Sequence, residues 1–499
     1  MTKQQQIVVA IVAALSIFIG VGTTLLITSG DDDQGPIGIG TTTSSLALPT
    51  STLVPITAPP TLPPTTQVTT ATTSPITPGT TVVIPPSTTA TTKPAPTTTK
   101  PAPTTTQPAP TTTQPPATTT TTKPDRDTDV GITDNAITLA VIADDAETFE
   151  GMQAWQSLIN RRGGIADRKI RLDLLETGGT AEGYANAVTT ACDRDFAIVG
   201  SFSRFDTSAE NAGCALIPDL PVQPVAGGHS TASNTFAAFP RQAGIEAVGP
   251  YAYLFANVAG CCNQFVLVPD ADPERAHTLA AIDAAVAVGF TTAGSVDVAP
   301  SDDATRYAEI LDEMEAAGST FATSGLGRAS TVLLRTTAVG RAPDVAAWYC
   351  DASCYDDTFL TDGGDAVDGQ YVAIETAPFS DRSEVGAMRG YLRMSKRLEQ
   401  ESSYAGLRAF ATGMLWEAAA KQVVTDQGEN GLTRARLLDA LANIYDFTAG
   451  GIAGSTDVAT GTPNGCYVLL QVVDGAFERV NPTDKGTLDC GSQNLVELP

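Results

Sequence analysis

Beyond residue 131, short β-branched runs alternate with segments whose apolar residues recur at helical spacing. This alternation limits the possible folds more than any other feature. Ile137–Ala143 (ITLAVIA) predicts a strand. Phe149–Arg162 predicts a helix, with Met152, Trp155, Leu158 and Ile159 on one face and Gly163-Gly164 as its stop. Lys169–Leu175 alternates as a strand, Ala181–Cys192 reads as a helix and Phe196–Gly200 as a buried strand. Thr207–Leu216 then reads as a helix and Val222–Ala226 as a strand.

The pattern restarts after Arg241. A long helix is expected over about 243–258, and Gln264–Pro269 is a strand. Asp272-Pro273-Glu274 supplies an N-cap, a proline at the first helical position and an acid in the first turn. Gly289 closes that helix. Ala293–Val298 is a strand, and Ser301-Asp302-Asp303 opens a helix that Gly318 ends. Thr320–Thr323, Thr331–Val339 and Val345–Cys350 continue the alternation. Repeated strand–helix units give parallel sheets with helices on both faces, and two runs of them give two doubly wound lobes. Ligands of such folds bind beyond the carboxyl ends of the strands.

The front of the chain cannot share this core. Residues 31–128 are dominated by Thr and Pro, with a seven-residue repeat: KPAPTTT at 93–99 and 100–106, then QPAPTTT at 107–113. No apolar periodicity is present, so the segment is expected to be a disordered stalk, bare or O-glycosylated. In polyproline II geometry it could span up to roughly 300 Å. Before it, Ile7–Ile27 carries no charge, with Lys3 ahead of it and Asp31-Asp32-Asp33 behind. Twenty-one residues at about 1.5 Å each reach roughly 31 Å, the thickness of a bilayer core. Residues 1–30 therefore read as a single-pass anchor with the C-terminal bulk outside the cell. The alternative is a signal segment cleaved near Thr28-Ser29-Gly30, which would release a secreted protein.

Charge excludes further classes. The chain carries 55 acidic and 29 basic residues, a net charge of −26. Residues 1–128 are neutral overall, so the globular part holds the whole imbalance. Such a surface repels phosphate backbones, and no nucleic-acid partner is expected. Two histidines cannot build a multi-histidine metal centre. Asp362, Asp365 and Asp368 step by three and do not match a calcium loop. There is no G-x-S-x-G elbow, Walker loop or H-E-x-x-H. No enzyme activity, metal or cofactor is implied.

All eight cysteines follow residue 190, in a domain expected to be exported, which favours disulfides. Locality suggests Cys192–Cys214, Cys350–Cys354 and Cys466–Cys490. Cys261 and Cys262 are left as a vicinal pair or as thiols. A redox or metal site is the rival reading for Cys350 and Cys354.

Five segments in order resemble one family. INRRGGIADRKIRLDLLE (159–176) resembles the glycine-pair signature of type 1 periplasmic binding proteins, and GITDNAITLAVIA (131–143) resembles their opening strand. FAIVGSFS (196–203), SYAGLRAFATGMLWEAA (403–419) and GGIAGSTD (450–457) follow in the expected order. The group is the leucine/isoleucine/valine-binding family of solute-binding proteins for ATP-driven (ABC) importers. The resemblance implies two lobes within 129–499, one of about 131–240 and 378–448, the other of about 241–375 and 452–499. Three crossovers near Phe239–Arg241, Ile374–Pro378 and Ala449–Ser455 would join them.

By the same resemblance the first lobe would offer Ser201, Ser203 and Arg204, then Ala226, Gly227, Gly228, His229 and Ser230. Amide groups at helix starts suit a carboxylate. The second lobe would offer Asp351, with Glu375 at a crossover. The family's aromatic contact falls at Gly325-Leu326-Gly327, and the loop DDAETFEG (144–151) is short. The expected function is extracellular capture of a small polar metabolite, such as an amino acid or amide. An ABC permease and ATPase would be its partners, with membrane attachment through residues 7–27. The alternative is a sensor or adhesion ectodomain that keeps the fold without transport.

Overall fold

A computed structural model describes residues 126–498, except 211, 225–231, 271–273 and 342–343. The segment 7–27 and the Thr/Pro repeats lie outside the described residues. Among the described residues no helix is long and apolar enough to cross a membrane. The buried guanidinium of Arg168 donates to the carbonyls of Arg126, Thr133 and Glu429 and so ties the first described residue to the core.

The first half starts with β1 (Ala136–Ile142), α1 (Ala146–Arg161), β2 (Lys169–Leu175) and α2 (Ala181–Arg194). β3 (Ala197–Ser201) and β4 (Asp219–Pro221) complete a parallel sheet in the order β2-β1-β3-β4. α1 begins three residues earlier than its apolar stripe suggests. Asp145 caps it, accepting from the amide of Thr148 at 2.7 Å.

The helix expected over Thr207–Leu216 is absent, and turns replace it. Asp219 accepts from the amide of Ala209 at 2.8 Å and Asp206 from that of Ser208 at 3.3 Å, which pins the segment to side chains in turn geometry. Ser208 and Gly213 also have φ of 83° and 92°, outside helical geometry. The strand expected over Val222–Ala226 instead occupies Asp219–Pro221. Proline at 221 and 224 removes two ladder donors there.

In the second half β5 (Ile245–Ala247) precedes α3 (Gly249–Asn257), where one long helix was expected. Pro250 fixes the start of α3, and β5 pairs with residues about 250 positions later, a partner no local pattern reveals. β6 (Asn263–Pro269), α4 (Glu274–Ala287), β7 (Thr291–Val298), α5 (Ala304–Ala316), β8 (Phe321–Ser324), α6 (Gly327–Ala338) and β9 (Ala347–Cys350) follow. Asp272 and Pro273 lie outside the described residues. α7 (Asp357–Gly363) and β10 (Gln370–Ile374) come next. The chain then returns to the first half as α8 (Gly386–Leu398), α9 (Tyr404–Gln427) and α10 (Arg434–Leu441).

β11 (Val468–Val473), β12 (Ala476–Asn481) and β13 (Leu495–Glu497) close the chain, the last pairing with β5. The second sheet runs β12-β11-β10-β9-β8-β6-β7. It departs from a purely parallel expectation. β10 to β7 are parallel, but β11 and β12 form an antiparallel hairpin at the edge. Asp474-Gly475, both at positive φ, make its two-residue turn.

The chain passes between the halves three times: after Phe239, after Ile374, and between Ala449 and Val468. The second and third passes lie side by side, with Ala377 donating to Ile452 at 2.8 Å. Trp155 of α1 and Trp416 of α9 meet edge-to-face at 5.8 Å within the largest core cluster.

Disulfides join Cys192 to Cys214, Cys350 to Cys354 and Cys466 to Cys490. Cys261 and Cys262 form a vicinal disulfide between α3 and β6, and no cysteine remains free.

Candidate functional site

The carboxyl ends of β1 and β3 meet where a ligand of this fold class is expected. Ser201, the last residue of β3, is fully buried, and its hydroxyl has no partner among the described residues. Ser203 is also buried and donates to Asp144 at 2.6 Å. Thr177, beyond β2, donates to the other oxygen of the same carboxylate. The first half thus directs two hydroxyls at its own acid. Ala226, Gly227, Gly228, His229 and Ser230 lie outside the described residues.

A second cluster forms at the joint between the halves. Val222 donates its amide to Ser201, and the next side chain, Gln223, accepts from Nη1 of Arg408 on α9. Nη2 of Arg408 lies 3.4 Å from Glu375, which stands just beyond β10. Arg241, on the first pass between the halves, reaches the other oxygen of Glu375 at 3.2 Å. His277 of α4 sits 3.2 Å from Nη1 of Arg241. The phenol of Tyr404 accepts from the amide of Glu375 at 3.1 Å. The guanidinium of Arg408 rests 4.7 Å from the ring centre of Phe239 and 5.6 Å from that of Tyr404.

The electrostatics follow from this crowding. Burial opposes the charge on Glu375, but Arg241 and Arg408 outweigh it and hold the carboxyl below the usual range. The adjacent Arg241 guanidinium presses His277 down to about 3, so it is neutral at physiological pH. Burial raises the phenol of Tyr404 to about 12.

The other expected contacts are engaged locally. Asp351 caps the turn after β9, accepting from the amide and the hydroxyl of Ser353. Arg204 crosses to Glu274 of α4 at 3.2 Å, an exposed pair linking the halves. Gly325 is required by close approach, since a Cβ there would lie 2.3 Å from the hydroxyl oxygen of Thr278. The sequence reading did not single out Asp144, His277, Tyr404 or Arg408, and used Arg241 only to mark a crossover. Arg408 did carry a signal. It is a lone charge within LRAFAT on a helix otherwise apolar at those positions, and a buried guanidinium there demands an acceptor.

An open hollow of about 450 Å³ lies elsewhere, between β2 and α2 against Leu174, Asn186 and Thr190. Its lining offers Glu176, Asn186 and Thr190 but no cationic group, whereas the joint brings acidic, basic and aromatic side chains together. Among the described residues no group of three or more His, Cys, Asp or Glu side chains is placed to hold a metal.

The model of a periplasmic binding protein family matches residues 142–476. No curated protein sequence matches. Several solved structures share the fold. A fatty acid ABC transporter substrate-binding protein from Thermomonospora curvata superposes with a TM-score of 0.57 at 14% identity, covering 74% of this chain and 94% of that one. An ABC transporter substrate-binding protein from Aeropyrum pernix gives 0.58 at 15%, covering 72% and 97%. A branched-chain amino acid ABC transporter protein from Rhodospirillum rubrum gives 0.54 at 17%, covering 69% and 100%.

Proposed function

The chain belongs to the periplasmic binding protein family, and on that premise we propose that it captures a small polar solute outside the cell and delivers it to an ABC importer. The observation that carries this reading is the joint itself. Polar side chains from both halves converge there, with Arg241 and Glu375 on segments through which the chain passes and Arg408 and His277 on flanking helices. Hinge motion about those passes would close the halves on the solute without covalent chemistry.

In this reading Ser201 and Ser203 contact the solute, and Ala226, Gly228, His229 and Ser230 are proposed as further contacts. Asp351 and Glu375 are the proposed contacts of the second half, and Arg204 helps latch the halves through Glu274. Residues 1–30 serve as the anchor, 31–128 as the spacer and 129–499 as the binding domain. A permease and an ATPase receive the solute. The long Thr/Pro segment favours a second reading, a surface sensor that binds the solute and does not transport it.

Small-angle scattering tests capture directly. Screening amino acids, amides, short peptides and polyamines should yield a compound that reduces the radius of gyration. A set in which none changes compactness and none raises the melting temperature would count against a clamp.

A further inference from the structure

We propose that the joint is an anion site, where the solute's carboxylate docks on Arg408 and Arg241 in place of Glu375. This rests on the solute-capture reading and names the chemical class of its ligand.

Two guanidinium groups share one bonded carboxylate. The contacts to Glu375, 3.2 Å from Arg241 and 3.4 Å from Arg408, are single-point and long for charge-assisted pairs, which usually lie at about 2.7–2.9 Å. Donors are left over. Arg408 is 7% exposed, yet its Nε has no acceptor among the described residues, and the same holds for Nε of Arg241. Buried guanidinium donors are costly to leave unused, and a planar carboxylate is the acceptor that fits their fork. Each oxygen of Glu375 meets one arginine through a single contact, so a ligand carboxylate that engages the fork could replace it.

Other charges nearby do not supply the missing acceptor. Glu246 is within electrostatic reach of Arg241 but shares no bond with it among the described residues, and burial holds its carboxyl above the usual range. His277 is neutral and adds no competing charge of either sign. Arg204 and Glu274 neutralise each other.

The alternatives fit less well. A ligand ammonium would need Glu375, which already faces two cations that would repel it. The hydroxyls of Ser203 and Thr177 are committed to Asp144, which leaves Ser201, among the described residues, as the unpartnered hydroxyl at that strand end. Phe239 and Tyr404 hold the plane of Arg408 and provide an apolar wall for the carbon skeleton attached to the carboxylate.

The test compares straight-chain and aromatic carboxylic acids with their primary amides, by calorimetry on the full-length protein. The acids should bind more tightly than the matched amides. Arg408→Met should weaken acid binding by about tenfold or more, the scale of a lost hydrogen bond to a charged group. Glu375→Gln removes the competing carboxylate and should tighten acid binding several-fold. It keeps the test decisive if Arg408→Met folds poorly. Amides binding as well as acids would overturn the anion site while leaving solute capture intact. So would a Glu375→Gln variant that binds acids no better than the parent. If neither series binds, the anion site falls, and scattering with the wider solute screen judges capture separately.

Discussion

Arg408 and Glu375 meet at 3.4 Å although one belongs to a helix packed on the first sheet and the other to the end of a strand in the second. Their contact fixes how the two halves are tied at the joint. Arg408→Met removes the partner of Gln223 and the stacking over Phe239, while Glu375 keeps Arg241. The expected loss of stability is about 1–3 kcal/mol. Arg408→Lys should recover only part, since an ammonium cannot reproduce the planar fork. Chemical denaturation of the two variants checks the order.

Asp195 predicts a pH dependence. It is fully buried, and both carboxylate oxygens lack donors among the described residues. Burial and then Asp173 raise its pKa from 3.8 to about 6, against the pull of Arg194 and Arg434. The folded state therefore holds this proton where the unfolded state has lost it. Its contribution to stability is full below about pH 4 and declines as pH rises to about 6. Asp195→Asn should stabilise the protein at pH 7, by up to on the order of 3 kcal/mol, and leave it unchanged below about pH 4. A gain that persists undiminished in acid would contradict this assignment.

Close helix packing predicts a steric effect. A Cβ on Gly151 of α1 would lie 2.1 Å from the carbonyl oxygen of Gly406 on α9. Gly151→Ala must push the helices apart, and should destabilise by about 1–3 kcal/mol or more despite its better helix propensity. A melting temperature equal to the parent's would mean that the helices do not approach so closely.

The disulfides predict both a map and a cost. Non-reducing peptide mapping should recover Cys192 with Cys214 and Cys466 with Cys490. Replacing both members of either pair by Ser should cost roughly 3 kcal/mol, from the loop-closure entropy returned to the unfolded chain. Free thiols at these four positions would refute the pairing.

Several strands were legible because buried β-branched runs such as Ala136–Ile142 and Asn263–Pro269 need only local periodicity to be seen, whereas β10, β11 and β12 drew no expectation. Thr207–Leu216 was misread because its turns depend on side-chain acceptors, including Asp219, that lie outside the segment. β5 was hidden for the same reason on a larger scale, its partner being β13. The candidate site was partly legible. Ser203 and Glu375 were named as candidates through the family resemblance, whereas the guanidinium pair around Glu375 depends on three segments that are distant in sequence.

The central claim is that the two halves hold a small solute, and native mass spectrometry of the exported protein, released gently and never unfolded, tests it most directly. The account predicts a small-molecule adduct at one per chain that disappears when the protein is denatured and is recovered in the extract. The bare chain mass under every gentle condition, with nothing recovered after denaturation, would contradict it.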